Sequence, residues 1–198
     1  QDGLISLEIA QEAMQQKALL YDKGGEEHYN VISAFIKSVR GSDPDAALYW
    51  LARMLEAGED PLFILRRMII LASEDIGNAD PRALQVTVSA LQAFQMVGMP
   101  EGRIILGQAV TYLATAPKSN ASYVGINEAL SEVRKSGALE VPLHIRNAPT
   151  RLMKEMGYHA GYQYAHDFKG GYVQQEYLPE KLQGRKFYDP KGHGYEKN

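Results

Sequence analysis

Residues 60–81 read DPLFILRRMIILASEDIGNADP. An Asp-Pro pair opens the stretch and another closes it, with an apolar run between them and a glycine shortly before the second proline. Proline suits the first position of a helix because the N–H it lacks has no intrahelical partner there. The aspartate before it accepts one of the orphan N–H groups and meets the positive end of the helix dipole. Glycine takes the left-handed conformation that ends a helix. The stretch therefore predicts a helix over 61–76, closed by Gly77, and a second helix starting at Pro81 with Asp80 as its N-cap. The first helix is apolar nearly all round, which predicts a central place for it.

The same grammar recurs on either side. GSDP (41–44), GEDP (58–61), GNADP (77–81) and GMP (98–100) each place a glycine just before a proline, and Asp43 and Asp60 repeat the capping position of Asp80. Apolar residues recur at helical spacing between these marks. The expected stripes are Tyr29, Ile32, Phe35, Ile36 and Val39; Ala47, Leu48, Leu51, Met54 and Leu55; Leu84, Val88, Leu91 and Phe94; and Ile105, Ala109, Tyr112 and Leu113. A sixth helix is expected over 120–135 on Val124, Ala129, Leu130 and Val133, and one more amphipathic helix over 4–20, set apart by YDKGG. Short turns make consecutive helices antiparallel neighbours. The fold class is all-α: an antiparallel helical array followed by a loop-rich, Tyr-containing C-terminal tail.

That tail, residues 137–198, holds seven of the twelve tyrosines and four of the five histidines. Only PTRLMKEM (149–156) reads as helix. The recurrence of aromatic and branched residues predicts ordered loop lying along the helices, with rings buried within the chain or against another subunit, because disordered segments are poorer in aromatics. Charge is divided unevenly: residues 1–140 carry 12 basic and 18 acidic residues, residues 141–198 carry 9 and 6. Neither half is basic enough for a dedicated DNA-binding domain.

Composition excludes further classes. Apolar residues make up 45% and charged residues 23%, the balance of a soluble globular protein. There is no cysteine, hence no disulfide framework and no thiolate chemistry. No apolar run approaches the roughly 20 residues that span a bilayer. The chain begins with Gln1 and reads as a piece of a longer polypeptide.

Glu74, Asp75 and Asp80 crowd around Gly77 and Asn78, so the acidic turn is the first candidate site. A carboxylate in the last turn of a helix opposes the dipole. Glu74 and Asp75 therefore call for a salt bridge to Arg66, Arg67 or Arg82, or for a contact with a partner subunit. Arg66 and Arg67 interrupt an otherwise apolar helix, and Glu74 or Asp75 one to two turns later is the carboxylate expected for them. The turn does not have the alternate oxygens of a calcium loop. GRIILGQA (102–109) has two glycines, but Gln108 and Ala109 stand where a phosphate-binding loop needs Lys and Ser or Thr. His144, His159, His166 and His193 match no zinc spacing, and tail histidines bonded to backbone carbonyls are the reading set against a His166–Asp167 orienting pair. Nothing like G-x-S-x-G favours a catalytic triad. Trp50, the single tryptophan, is read as core, with an interface anchor as the alternative. Lys37 and Arg40 close a helix, where cations complement the dipole.

Taken together, SAFIKSVRGSDPDAALYWLARM (33–54) and ASEDIGNADPRAL (72–84), with VGMPEGRIILGQAVTYLATAPKSNASY (97–123) and QEYLPEKLQGRKFYDPKGHGYE (175–196), resemble the C-terminal region of the replication-associated recombination protein A (RarA, or MgsA) family. These are AAA+ ATPases related to clamp loaders and to the Werner-helicase-interacting ATPase. The resemblance covers nearly all of residues 21–196. It implies a collar-like helical domain, residues 23–198, that assembles the parent into a homotetramer, with residues 1–22 the last helix of the ATPase lid. It also implies a cytoplasmic, nucleoid-associated parent acting on DNA at stalled replication forks with single-stranded-DNA-binding protein. ATP and Mg²⁺ would bind the parent's N-terminal module. No catalytic, cofactor-binding or metal-binding residue carries over to this chain; LYWLARM with Trp50 and SEDIGNADPR with Glu74, Asp75 and Asp80 carry over by position, and these four residues together with Arg66 and Arg67 are the candidate structural or interface positions. Two other functions compete with oligomerisation. One is single-stranded-DNA binding by the basic aromatic tail GRKFYDPKGHGYEK (184–197). The other is a metal or acid–base enzyme built on Glu74, Asp75, Asp80 and a histidine, which capping and pairing already make unnecessary.

Overall fold

The structure, a computed structural model, describes Leu7 and residues 26–197. The helix expected over 4–20, the YDKGG spacer and the 1–22 lid segment lie outside the described residues, apart from Leu7, which is helical. The fold is all-α, with no strand among the described residues. The chain divides into two compact units, one containing the described residues up to Gly125 together with Tyr188–Lys197, the other Ile126–Phe187.

The first unit is the array that the turn grammar predicts. Its helices are α1 (Glu26–Arg40), α2 (Pro44–Glu56), α3 (Pro61–Leu71), α4 (Arg82–Val97), α5 (Gly102–Thr115) and the start of α6 (Ala121–Ser136). Asp43 accepts the Ala46 amide at 2.9 Å and Asp60 accepts the Leu62 amide at 2.9 Å. Gly58, Gly77 and Gly98 all have positive φ. At the first turn the left-handed residue is Ser42, at φ 61°, and not Gly41.

The core consists of Val31, Ile32, Phe35, Ile36 and Val39 from α1, Ala47, Leu51 and Met54 from α2, Ile64, Leu65, Met68 and Leu71 from α3, and Leu106, Ala109, Val110 and Leu113 from α5. Helix α5 packs against α1, α2 and α4, while α3 packs against α1 and α4. Burial of each large apolar side chain contributes about 1.5–3 kcal/mol. Four positions of the stripes expected on α1, α2 and α4 are exposed: Tyr29, Leu48, Leu84 and Val88; on α6 Leu130 and Val133 are exposed as well. Helix α4 instead buries Ala83, Thr87, Ala90 and Phe94. These residues form its packed face, and the larger Leu84 and Val88 one position further on stand outward. The Thr87 hydroxyl donates to the Ala83 and Leu84 carbonyls at 3.0 and 2.9 Å, which removes the cost of burying it.

The helix expected over 61–76 changes character part way. Its α-helical part ends at Leu71; Ala72–Ile76 is a π-helical turn and Gly77–Ala79 a 3₁₀ turn. The wider turn rotates Asp75 inward, where it is buried, and Glu74 to the rim. Gly77, at φ 50°, lies so close to the 117–120 loop that a Cβ there would sit 2.9 Å from the Ser119 carbonyl oxygen.

The second unit begins within α6 and contains a 3₁₀ turn at Leu143–Ile145, the short helix α7 (Arg151–Glu155) and 3₁₀ turns at Ala165–Asp167, Lys169–Gly171 and Glu180–Leu182. The helix expected over PTRLMKEM is only these five residues, capped by Thr150, whose hydroxyl oxygen accepts the Met153 amide at 3.3 Å. No residue of 126–187 is buried. Polar contacts hold the unit: the His144 ring nitrogen meets the Glu176 carbonyl at 2.7 Å, the His159 amide donates to the Leu143 carbonyl at 2.9 Å, and Arg146 pairs with Glu140 at 2.9 Å while lying 5.2 Å from the Tyr158 ring centre. Among the described residues, no helix is long and apolar enough to cross a membrane.

Candidate functional site

The acidic turn joins three parts of the first unit. Asp75 receives Arg40 from the end of α1 in a two-pronged pair, Nε to Oδ1 at 2.6 Å and Nη2 to Oδ2 at 3.2 Å, and Glu74 stands 3.8 Å from the same guanidinium. The hydrogen bond to Asp75 outweighs desolvation and pushes the Arg40 pKa up. The Asp75 carbonyl accepts the Ser119 amide at 2.8 Å.

Five residues on, Asp80 is 3% exposed and fully engaged. Its Oδ1 accepts the Arg82 amide at 3.2 Å and Arg82 Nε at 2.9 Å; its Oδ2 accepts the Tyr112 hydroxyl at 2.6 Å. Burial alone would raise the Asp80 pKa, but the bonds from Arg82 and Tyr112 prevail and hold it below the usual carboxylate range. The Tyr112 hydroxyl is pushed up, first by burial and then by its carboxylate acceptor. Both Asp80 oxygens thus accept donors of its own chain, and the carboxylate ties α5 to the turn before α4.

The loop after α5 completes the junction. Lys118 Nζ donates to the Ala116 carbonyl at 2.7 Å, the Ala114 carbonyl at 2.9 Å and the Ser42 hydroxyl at 3.1 Å. Burial lowers its pKa, with Asp75 opposing. The Lys118 carbonyl in turn accepts His193 Nδ1 at 2.9 Å.

The arginines expected to pair with Glu74 and Asp75 do otherwise. Arg66 is exposed and reaches back to Asp60, 3.6 Å away. Arg67 Nε is buried and has no hydrogen-bond partner among the described residues. Arg82 takes Asp80. The partner of the acidic pair is Arg40, which the sequence offers only as a helix-ending cation; the contact joins residues 35 positions apart, and no local spacing announces it. Arg67 lines a groove of about 460 Å³ between α1 and α3 with His28, Lys37, Arg40 and Phe63. His28 at its end meets Glu59 at 2.7 Å, tying α1 to the turn before α3. Trp50 is partly buried, stacked edge-on against Tyr49, with the Arg53 guanidinium 5.4 Å from its ring centre. Tyr112 and Ser119 also belong to the junction, although in the sequence Tyr112 reads as one more member of an apolar stripe and Ser119 carries no mark. Among the described residues no three His, Asp or Glu side chains converge as a metal ion requires.

The described residues form an all-α array whose acidic turn caps and fastens helices, and sequence comparison supplies its class, the helical C-terminal regions of AAA+ ATPases. Residues 41–198 match the family model described as MgsA AAA+ ATPase C terminal, and residues 1–40 match that of the AAA C-terminal domain. The chain belongs to the MgsA AAA+ ATPase C-terminal family. It is 52% identical over 196 residues to Replication-associated recombination protein A of Coxiella burnetii, covering 98% of this chain and 43% of that protein. It is 48% identical over 190 residues to the protein of the same name from Escherichia coli strain K12, covering 96% and 42%. It is also 48% identical over 179 residues to ATPase WRNIP1 of Dictyostelium discoideum, covering 90% and 20%. The chain thus spans less than half the length of these relatives.

Proposed function

We propose that this chain is the oligomerisation and interaction domain of a AAA+ ATPase that acts on DNA in replication, recombination and repair, and that it assembles with its own copies into a homotetramer. The observation that carries this reading is the second unit. Residues 126–187 bury no side chain, yet Val141, Leu143, Leu152, Met156, Tyr164, Tyr172 and Tyr177 all stand exposed. A segment of this length with no core of its own gains little by staying ordered in isolation. Its rings and branched side chains suit the aromatic-rich centre of a subunit interface. ATP, Mg²⁺ and hydrolysis belong, on this reading, to the parent's N-terminal module; the chain itself supplies no phosphate-binding loop. DNA and single-stranded-DNA-binding protein are partners of the assembled parent, in the cytoplasm at the nucleoid.

Light scattering coupled to gel filtration tests the proposal. Tens of micromolar protein elutes as a tetramer, and the double substitution Leu152→Glu with Tyr172→Asp yields a smaller species with unchanged helical circular dichroism. A strict monomer at that concentration rejects the reading.

The alternative, single-stranded-DNA binding by the tail, draws on the exposed Arg185 guanidinium, which lies 5.5 Å from the Phe187 ring centre. It requires a salt-sensitive shift of a labelled oligonucleotide, strongest at low salt.

A further inference from the structure

Residues 188–197 lie on the first unit, end in a 3₁₀ turn over Gly194–Lys197 and are held at three places. His193 Nδ1 donates to the Lys118 carbonyl at 2.9 Å. Glu196 folds the segment on itself, accepting the Tyr188 hydroxyl at 3.1 Å and the Lys191 amide at 2.9 Å. Asn78 Nδ2 reaches the Tyr188 hydroxyl at 3.5 Å, and the Arg82 guanidinium lies 5.5 Å from the Tyr195 ring centre.

Backbone fit adds selectivity. Gly194, at φ 53°, lies so close to the 77–79 turn that a Cβ would sit 2.0 Å from the Ala79 carbonyl oxygen and 2.8 Å from Pro117 Cγ. No other residue type fits there. The groove therefore reads a peptide by a glycine flanked by histidine and tyrosine, followed by a carboxylate. None of these ten residues is buried, so the segment adds nothing to the core, and its release exposes no large apolar surface.

We infer that Asn78–Ala79, Arg82 and Pro117–Lys118 form a peptide-recognition site for a His-Gly-Tyr-Glu segment that turns at its glycine, filled here by the chain's own residues 193–196. The site holds its occupant reversibly. Tethering through residues 126–187 favours the chain's own segment over a free one by raising its local concentration.

The test uses the whole chain carrying Gly194→Ala, with circular dichroism checking that the helices remain. Amide exchange over residues 188–197 accelerates about tenfold or more relative to the unsubstituted chain. A fluorescein-labelled synthetic peptide of residues 186–198 then binds saturably to the variant and only weakly to the unsubstituted chain. The same peptide carrying Gly194→Ala and Glu196→Gln does not bind. If Gly194→Ala impairs folding, the chain carrying Glu196→Gln serves in its place. Undiminished protection of 188–197 in the variant overturns the inference, and so does a freed segment whose labelled peptide fails to bind.

Discussion

The Tyr112 hydroxyl donates to Asp80 Oδ2 at 2.6 Å, joining the last turn of α5 to the turn just before α4. Those two helices are also neighbours along the chain, linked by the 98–101 turn, so the bond closes a second connection at the opposite end of the pair. Hydrogen bonds to buried charged acceptors are worth about 1.5–3 kcal/mol. Tyr112→Phe removes only the hydroxyl, and urea denaturation should find the chain less stable by about 2 kcal/mol. An unchanged midpoint would mean that Arg82 alone satisfies the carboxylate.

Acid should expose the same fastener. Asp80 and Glu196 both have pKa values below their ordinary ranges in the folded chain, each because its hydrogen-bond donors outweigh burial. A carboxylate depressed in this way stabilises the fold fully above its unfolded pKa and ceases to do so as pH falls through the folded value. Unfolding free energy therefore declines from about pH 5 downward. Asp80→Asn, less stable at neutral pH, should show a shallower decline over the same range. Parallel slopes for the two proteins would contradict the assignment.

Arg40 is the counter-charge of a buried carboxylate but is itself half exposed. Removing one partner of a fully buried pair costs about 3–5 kcal/mol; solvent around Arg40 reduces this to about 1–2 kcal/mol for Arg40→Met. Adding Asp75→Asn should restore part of the loss, giving a favourable coupling in a double-mutant cycle. Strict additivity would show that the pair contributes nothing.

At the start of α5, a Cβ on Gly102 would lie 2.5 Å from two ring carbons of Phe94, which is 8% exposed. The ring has no room to retreat, so Gly102→Ala should cost about 1–3 kcal/mol through overpacking. Phe94→Leu in the same chain should recover part of that loss by calorimetry. A neutral Gly102→Ala would show that α4 and α5 can spread without penalty.

Local chemistry announces much of this fold. Asp43 and Asp60 cap as their place before a proline requires, because capping is decided within three residues. The exposed side of α4 is misread for a physical reason: Leu84 and Val88 have the right spacing, but Ala83, Thr87 and Ala90 have the right size. Hydrophobicity alone does not record how closely two helices approach. The partners of Asp75 and Asp80 are less legible still. Arg40, Tyr112 and Ser119 meet the turn only after the helices have packed, and the π-helical widening that turns Asp75 inward has no sequence mark. The placement of Gly194 against Ala79 depends on residues 115 positions apart.

Because Tyr188–Lys197 dock onto helices encoded far upstream, synthesis order matters. Everything these residues grip leaves the ribosome first, and translation at about 5–20 residues per second keeps the pocket waiting several seconds while 126–187 are made. During that interval the Ala79 carbonyl and the Arg82 side chain face solvent. A chain cut short between residues 137 and 187 would keep α1 to α6 whole and leave the groove open.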